Sequence, residues 1–178
     1  TLCYSEKHEQ AMWVAYTLNG KKVKTGNVER TNDYRPDPDI KTGSATSSDY
    51  RGSGYDRGHL APAGDMAWSP ITMSESFFMS NMSPQLSDFN RGIWQSLEIQ
   101  FRKWAIIHGE LSIVTGPILT DRLKTIGRNK VSVPKYYYKV ILDHIGPEIN
   151  ALGFIVPNEK SFDPVMSFAV SIDKVEEK

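Results

Sequence analysis

One long segment with a helical period, residues 89–109, constrains the fold of this chain more than any other feature of its sequence. Its large apolar residues recur at three- and four-residue steps, as on one face of a helix: Ile93, Trp94, Leu97, Phe101, Trp104 and Ala105. Gly109 predicts the end of this helix. Three β-prone segments follow, at residues 111–119, 135–144 and 151–158. The second half of the chain must therefore combine one long helix with several strands.

The first half predicts a hairpin followed by a long loop. A β-prone run meets Asn19-Gly20, the strongest two-residue turn signal, so residues 11–26 are expected to form a β-hairpin. Residues 30–54 are polar and rich in Pro, Gly and Ser, which is typical of a long irregular loop that is either functional or disordered. No internal repeat or linker divides the chain, so we expect a single domain over residues 1–178.

Composition and charge narrow the classes of function. The 178 residues include 21 Lys and Arg and 21 Asp and Glu, so the net charge is zero and only a local patch could bind a polyanion. The single cysteine, Cys3, excludes an intrachain disulfide and a C-x-x-C metal or redox motif. No apolar run is long enough to span a membrane. A start at Thr1 without a signal peptide leads us to expect a processed chain.

The stretch KYYYK, residues 135–139, leaves two interpretations open. Tyrosines between lysines could stack on nucleic-acid bases. The same residues also fit an ordinary amphipathic strand, which we favour.

The segment YDRGHLAPAGDM, residues 55–66, places His59 among turn-forming glycines and a proline. A lone histidine is more often structural than catalytic, and a lone Asn90 or Glu98 on a helix has an equally ordinary explanation. Their combination is more informative. Asn90, Glu98 and Arg102 are separated by multiples of four residues, so one broad side of the predicted helix carries an amide, a carboxylate and a guanidinium.

These groups suit the hydrolysis of a phosphodiester. Asn90 and Glu98 would lie about 12 Å apart along an ideal helix axis, so both cannot contact one small cation directly. Glu98 would instead hold cation-bound water, which suits Mg²⁺ because this ion keeps several waters. His59, with an unperturbed pKa near ~6.5, could take a proton from an attacking water. Arg30 and Arg57 could stabilise charge on the phosphate.

Three stretches, at residues 56–59, 77–85 and 89–98, resemble one known family in their order and spacing, and two earlier stretches resemble it as well. The five are WVAYTL (13–18), RTNDYRPDP (30–38), DRGH (56–59), FFMSNMSPQ (77–85) and FNRGIWQSLE (89–98). The chain thereby resembles the DNA/RNA non-specific endonucleases of the ββα-metal superfamily. The resemblance implies an α+β fold, the ββα-metal or His-Me finger nuclease fold, with a central antiparallel sheet flanked by helices. In that fold a β-hairpin holds the histidine, a helix follows, and the metal lies between them.

The resemblance also implies catalytic roles for individual residues. His59 matches the general base, and Asn90 matches the single direct protein ligand of the metal. Glu98 matches the catalytic residue that organises metal-bound water. Arg30 matches the arginine that stabilises the transition state, with Arg35 as a rival because the loop there varies in length.

Further matches concern the substrate and the support of the site. Arg57 and Arg102 match residues that contact the substrate, and Asn81 matches a substrate-binding residue at the edge of the site. Asp56 is expected to tie down the motif loop. Gly58 is expected to let the backbone pass close to its neighbours.

The sequence thus predicts a Mg²⁺-dependent endonuclease, with Mn²⁺ as a candidate substitute, that acts on DNA and RNA. Little sequence preference is expected because these groups address the phosphate rather than base edges. The alternative is a catalytically inactive nucleic-acid-binding module of the same fold, but the presence of His59, Asn90 and Glu98 favours the enzyme. The resemblance implies products with a 5′-phosphate, is compatible with a homodimer, and suggests a secreted or periplasmic location in a bacterium.

Overall fold

The computed structural model describes residues 1–145 and 149–178. Its strands, in chain order, are β1 (Leu2–Ser5), β2 (Gln10–Asn19), β3 (Asp56–His59), β4 (Met82–Gln85), β5 (Glu110–Pro117), β6 (Thr125–Ile126), β7 (Val131–Ser132), β8 (Tyr136–Asp143), β9 (Asn150–Pro157) and β10 (Ala169–Val170). Its α-helices are α1 (Gly20–Thr25), α2 (Ser47–Tyr50), α3 (Pro70–Glu75), α4 (Gln95–His108) and α5 (Ile172–Glu176). Within the described residues, no helix combines the length and apolar character needed to cross a membrane. Residues 30–54 are largely irregular, as predicted, apart from α2.

Six strands form the main sheet in the order β1-β2-β5-β8-β9-β10, and each neighbouring pair is antiparallel. The three strands predicted after the helix correspond to β5, β8 and β9, so this prediction is confirmed. The main core lies between one face of the sheet and α4 with the segment that leads into it. There Phe89, Trp94 and Tyr137 pack together with ring centroids 5.2 to 5.6 Å apart.

Strand β8 decides between the two interpretations of KYYYK. Tyr137, Lys139 and Ile141 face the core, whereas Tyr136 is exposed on the opposite face. This alternation is the amphipathic strand that the sequence favours. Tyr137 and Lys139 are fully buried, so neither can contact a base as the other interpretation required.

The predicted hairpin over residues 11–26 is wrong. The Asn19 side chain accepts hydrogen bonds from two backbone N–H groups of α1 and so begins a helix instead of a turn. Gly20 allows the backbone to approach α4, because a Cβ there would lie 2.1 Å from Ala105 O. The Asn-Gly pair therefore serves as a helix cap and a close contact, and β2 finds its partners in β1 and β5.

The helix predicted over residues 89–109 is interrupted. Phe89–Trp94 form a π-helical turn in which Gly92, with φ of −105° and ψ of −110°, lies outside the helical range. The regular helix α4 follows and ends at Gly109, where a φ of 94° confirms the predicted glycine stop. Because of the break, Asn90 does not lie on the same regular helix as Glu98 and Arg102. The axial spacing expected from sequence does not apply to it.

A separate two-stranded sheet carries the DRGH motif. β3 and β4 pair antiparallel, with His59 opposite Met82. Gly58 permits this packing, because a Cβ there would lie 2.1 Å from the side-chain oxygen of Gln85. The chain then runs through the π-helical turn into α4, which gives two strands followed by a helix. The strands are joined by the long connection 60–81, where a simple hairpin was expected.

Candidate active site

One cavity of about 730 Å³ brings together most of the predicted site. The predicted residues that line it are Arg30, Arg57, His59, Asn90, Glu98 and Arg102. Its lining contains five arginines (the three just named with Arg51 and Arg91) and two carboxylates, those of Asp56 and Glu98. A chain with no net charge therefore concentrates positive charge at this one place, as a polyanion site requires.

His59 ends β3 at the wall of the cavity and is 8% exposed. Its ring packs edge-on against Phe77, with the two ring centroids 4.9 Å apart. Nε2 is buried and lacks a hydrogen-bond partner among the described residues, so the Nδ1 edge is the part of the ring that can address the cavity. Burial, and then the charge of Arg30, lower the pKa of His59 to about 3. The imidazole is therefore neutral at neutral pH and can accept a proton.

Asn90 lies in the π-helical turn, and the DRGH motif orients its amide. Asn90 Nδ2 donates to Asp56 Oδ2 at 3.0 Å. Arg91 donates to both oxygens of the same carboxylate, at 3.1 Å each, and so holds it in place. Because Nδ2 is engaged, Oδ1 is the atom of Asn90 left to bind a cation. The expected structural role of Asp56 thus includes fixing this amide.

Glu98 lies in the first turn of α4 and is half-buried. Burial raises the pKa of Glu98 above its ordinary value, and the Lys139 ammonium opposes that shift. Trp94, midway between Asn90 and Glu98 in the four-residue series, is fully buried in the core. Asn90 and Glu98 both line the cavity, but Trp94 between them is buried, so they do not form a continuous polar face of one helix. The break at Gly92 lies between Asn90 and the regular helix that carries Glu98.

The structure separates the two rival arginines. Arg30 lines the cavity, and its guanidinium lies over the ring of Phe77, 4.8 Å from the centroid. This is the ring that also packs against His59. Arg35 is absent from the cavity lining, and its guanidinium is bound to Asp33 at 2.8 Å. Arg30 is thus the arginine placed beside the histidine.

Arg57 and Arg102 both line the cavity but are held differently. Arg57 stacks over the ring of Tyr34, with its guanidinium carbon 4.0 Å from the centroid. Arg102 donates to Asp65 Oδ1 at 2.7 Å, and Tyr16 donates its hydroxyl proton to the other oxygen at 2.7 Å. The Asp65 side chain is 1% exposed, so Arg102 is firmly paired and Arg57 is the freer of the two to contact a substrate.

This arrangement of side chains can be compared with known proteins. A family model described as DNA/RNA non-specific endonuclease matches residues 1–178, the whole of the sequence. The chain belongs to the DNA/RNA non-specific endonuclease family. Its neutral histidine, oriented amide and clustered arginines are therefore found in a chain whose sequence matches that family throughout.

Relatives in this family come from distant organisms. Human mitochondrial Endonuclease G is 33% identical over 189 residues, which cover 98% of this chain and 64% of the relative. Nuclease C1 of Cunninghamella echinulata var. echinulata is 36% identical, with 98% of this chain and 76% of the relative covered. A Nuclease of Nostoc sp. is 34% identical, with 98% and 67% covered. The chain thus spans less than two thirds of the length of human Endonuclease G.

A solved structure confirms the fold. A chain in a crystal structure of the EndoG/EndoGI complex aligns with a TM-score of 0.91 and 32% sequence identity, covering 99% of this chain and 79% of that one. The α+β, ββα-metal fold predicted for this member of the DNA/RNA non-specific endonuclease family is therefore correct.

Asn81, predicted to contact substrate at the edge of the site, lies elsewhere in the structure. Asn81 is 5% exposed and does not line the cavity with His59. Its Oδ1 accepts from Ala61 N at 2.9 Å, and its Nδ2 donates to Ala61 O at 2.9 Å and Ser76 O at 2.8 Å. Because these bonds hold the amide to Ala61 and Ser76, the predicted substrate contact is corrected to a structural role beside the segment that follows β3.

Three residues that support side chains of this candidate site were not predicted. Tyr34 supports Arg57, Asp65 pairs with Arg102, and the charge of Lys139 lowers the pKa of Glu98 against the effect of burial. Tyr34 and Asp65 stand inside the quoted motif stretches, so their positions were visible although their roles were not. The signal for Lys139 is its place between two core-facing positions of a strand, where a lysine is out of pattern.

The buried histidine predicts a pH dependence of stability. The pKa of His59 is about 3 in the folded protein against 6.5 for an ordinary histidine, so the unfolded state binds the extra proton between these values. The stability that the neutral ring contributes is present above about pH 6.5 and is lost as pH falls toward 3, with a slope of up to about 1.4 kcal/mol per pH unit. Urea unfolding from about pH 7.5 to about pH 4.5 should show a shallower slope in His59→Ala than in the wild type.

The difference between these two proteins isolates His59, because other titrating groups such as Glu98 are common to both. Equal slopes in the wild type and His59→Ala would show that the ring is not held neutral by burial.

The bond from Asn90 to Asp56 predicts a second effect. Asp56→Ala removes the acceptor that orients the amide, so we expect Mn²⁺ binding to weaken by about 10–100-fold. Isothermal titration with Mn²⁺ measures this. Arg91→Ala is the matched control because it removes the exposed partner of Asp56 but keeps the bond to Asn90. It should weaken binding less, and an equal loss in both variants would contradict the orienting role.

Proposed function

We propose that this chain is an endonuclease that hydrolyses phosphodiester bonds of DNA and RNA, with Mg²⁺ bound at Asn90. The observation that carries the proposal is that a neutral His59 and an oriented Asn90 amide line one arginine-rich cavity. Membership of the DNA/RNA non-specific endonuclease family supports it, as do relatives named as nucleases.

His59 acts as the general base in this proposal. A water in the cavity gives its proton to Nδ1 as its oxygen attacks phosphorus. The charge of Arg30 is one cause of the low pKa of His59, and a phosphate anion in the cavity would oppose that effect. Substrate binding thus raises the basicity of the ring at the moment when it must accept the proton.

The arginines hold the charge of the reacting phosphate. Arg30, beside His59, donates to non-bridging oxygens as negative charge builds up on them. Arg57, stacked on Tyr34, positions the neighbouring backbone of the substrate. Because guanidinium groups address phosphates, the site gives little preference among base sequences and admits both DNA and RNA.

The residues present fit a hydrated Mg²⁺. Asn90 Oδ1 would bind the ion directly, and Glu98 would bind it through water. Among the described residues, no group of three or more His, Cys, Asp or Glu side chains could enclose a metal. A site of one amide oxygen and one outer carboxylate suits an ion that keeps most of its waters. When bound, the ion would stabilise charge on the phosphate and on the 3′-oxygen that leaves, which gives products with a 5′-phosphate.

The alternative, a binding module without catalysis, has no observation in its favour, because the base, the amide and the arginines line one cavity. Homodimerisation and a secreted or periplasmic location stay predictions from the sequence. Several relatives are named as mitochondrial, and one comes from the cyanobacterium Nostoc.

The test is the degradation of supercoiled plasmid and of a single-stranded RNA by the purified protein, with Mg²⁺ or with EDTA. We expect cleavage of both substrates with Mg²⁺ and none with EDTA. End-labelling of the products should show 5′-phosphates. A folded sample that cuts neither substrate under either condition would contradict the proposed activity, and cleavage that persists in EDTA would contradict the role of the metal.

A further inference from the structure

Lys139 is a lysine placed inside the apolar core. It lies on β8 between Tyr137 and Ile141, on the face that packs toward α4, and its exposed fraction is 0%. Its neighbours across the sheet are Thr115 and Phe154. Moving an ammonium group from water into such surroundings carries a large desolvation cost unless its partners are well placed. A methionine would fill similar space without that cost, so the charge requires an explanation.

The ammonium connects the two elements that carry the site. Lys139 Nζ donates to Leu60 O at 3.5 Å, and Leu60 directly follows His59. The same nitrogen lies 4.7 Å from the centroid of the Trp94 ring and 6.0 Å from that of Phe101. One charged group therefore contacts the backbone beside the base and the aromatic side chains of the helical segment.

The charges around Lys139 belong to the same site. Glu98 and Asp65 favour its charged form, whereas burial and Arg102 lower its pKa. Lys139 itself does not line the cavity, so it acts from behind the wall and does not touch the substrate. Trp94, which it contacts, lies midway in sequence between Asn90 and Glu98.

We propose that Lys139 is a positioning residue that sets the placement of the metal-binding side chains relative to His59. The proposal rests on the nuclease function proposed above. The ammonium lies 3.5 Å from Leu60 O and 4.7 Å from the centroid of the Trp94 ring, so it connects the residue after β3 and the end of the π-helical turn to the main sheet. An apolar side chain would fill the space without holding either group. A shift of ~1 Å between reacting groups can lower a rate by about 10²-fold.

The test compares Lys139→Met with Ile141→Ala. Ile141 is a matched control because it faces the same core from the same strand and lies outside the cavity lining. For each protein, kcat and KM are measured on plasmid with Mg²⁺, and the melting temperature is recorded. Mn²⁺ binding without substrate is measured by electron paramagnetic resonance, and the Asn90 side-chain amide is followed by NMR. If Lys139→Met does not fold, Lys139→Gln takes its place.

A chemical rescue separates charge from volume. Lys139→Cys in a Cys3→Ser background is alkylated with bromoethylamine in denaturant and refolded, which restores an ammonium at nearly the original length. We expect Lys139→Met to lower kcat by about tenfold or more with little change in KM, and to weaken Mn²⁺ binding by about 10–100-fold. The Asn90 amide resonance should move, and the alkylated protein should recover both properties. Ile141→Ala should lower the melting temperature alone.

Unchanged kcat and Mn²⁺ affinity in Lys139→Met would overturn the proposal, and so would an equal loss of both in Ile141→Ala. Failure of the alkylated protein to recover, when it folds, would likewise show that the charge is not what matters. If the wild-type protein cut no nucleic acid, the proposed nuclease function would fail. Mn²⁺ binding and the Asn90 resonance would then still decide the role of Lys139.

Discussion

Replacing His59 with alanine should lower the rate of phosphodiester cleavage by about 10²–10⁴-fold, the usual contribution of a general base. The reason is that His59 lines the cavity with a neutral ring, and the variant has no group there to accept the proton. Nucleic-acid binding should persist because the arginines of the cavity remain. Initial rates on plasmid with Mg²⁺ give the loss, and fluorescence anisotropy with labelled DNA in EDTA gives the affinity.

His108→Ala is the control for this experiment, since His108 lies at the far end of α4 and binds Asp143. It should cut as fast as the wild type. A His59→Ala protein that kept more than about a tenth of the rate would remove the imidazole from the role of base. Equal losses in both variants would point to a general effect of the substitutions on folding.

Asn90→Ala is expected to abolish the metal site with the fold intact. The side chain is half-buried and its amide bonds to Asp56, so its removal affects few other contacts. If Asn90 is the direct protein ligand, as proposed, its loss should weaken Mn²⁺ binding by more than the about 10–100-fold that follows loss of a supporting contact. Cleavage at low Mg²⁺ should fall below detection and recover in part at high Mg²⁺, because the ion then binds by mass action.

Ser87→Ala is a suitable control for Asn90→Ala, because Ser87 is an exposed residue just before the π-helical turn. Its Mn²⁺ affinity and rate should match the wild type. The direct contact predicts an order of effects in which Asn90→Ala exceeds Asp56→Ala, and Asp56→Ala exceeds Arg91→Ala. The reverse order of the first two would mean that Asp56, and not Asn90, carries the ion.

Local pattern was enough to predict the strands of the second half and the end of α4. Alternating apolar residues define β5 and β8, and Gly109 ends the helix because it readily takes a positive φ. The motif stretches also located His59 and Glu98 correctly in one cavity. The strands and the end of α4 depend on residues close together in sequence, which is why local pattern could predict them. His59 and Glu98 are far apart in sequence, and their shared cavity was predicted from the family resemblance.

The features that sequence missed depend on contacts between distant segments. Asn19-Gly20 is as good a helix cap as a turn, and the approach of Gly20 to Ala105 decides between them. Asn81 is polar and near the motif, yet its amide is occupied by the backbone of another segment. The break at Gly92 is equally invisible to a count of apolar residues, because the core-facing side chains on both sides of it stay buried.

The pairing of β3 with β4 positions residues for both proposed functions, proton transfer and ion binding. His59 and Asp56 stand at the two ends of β3, and the register that places His59 opposite Met82 also places Asp56 where it can hold Asn90. A slip of one residue along β4 would turn both side chains to the wrong face together. A newly made chain with this strand misaligned would therefore have neither function, and catalytic competence would arise in one step when the correct alignment is reached.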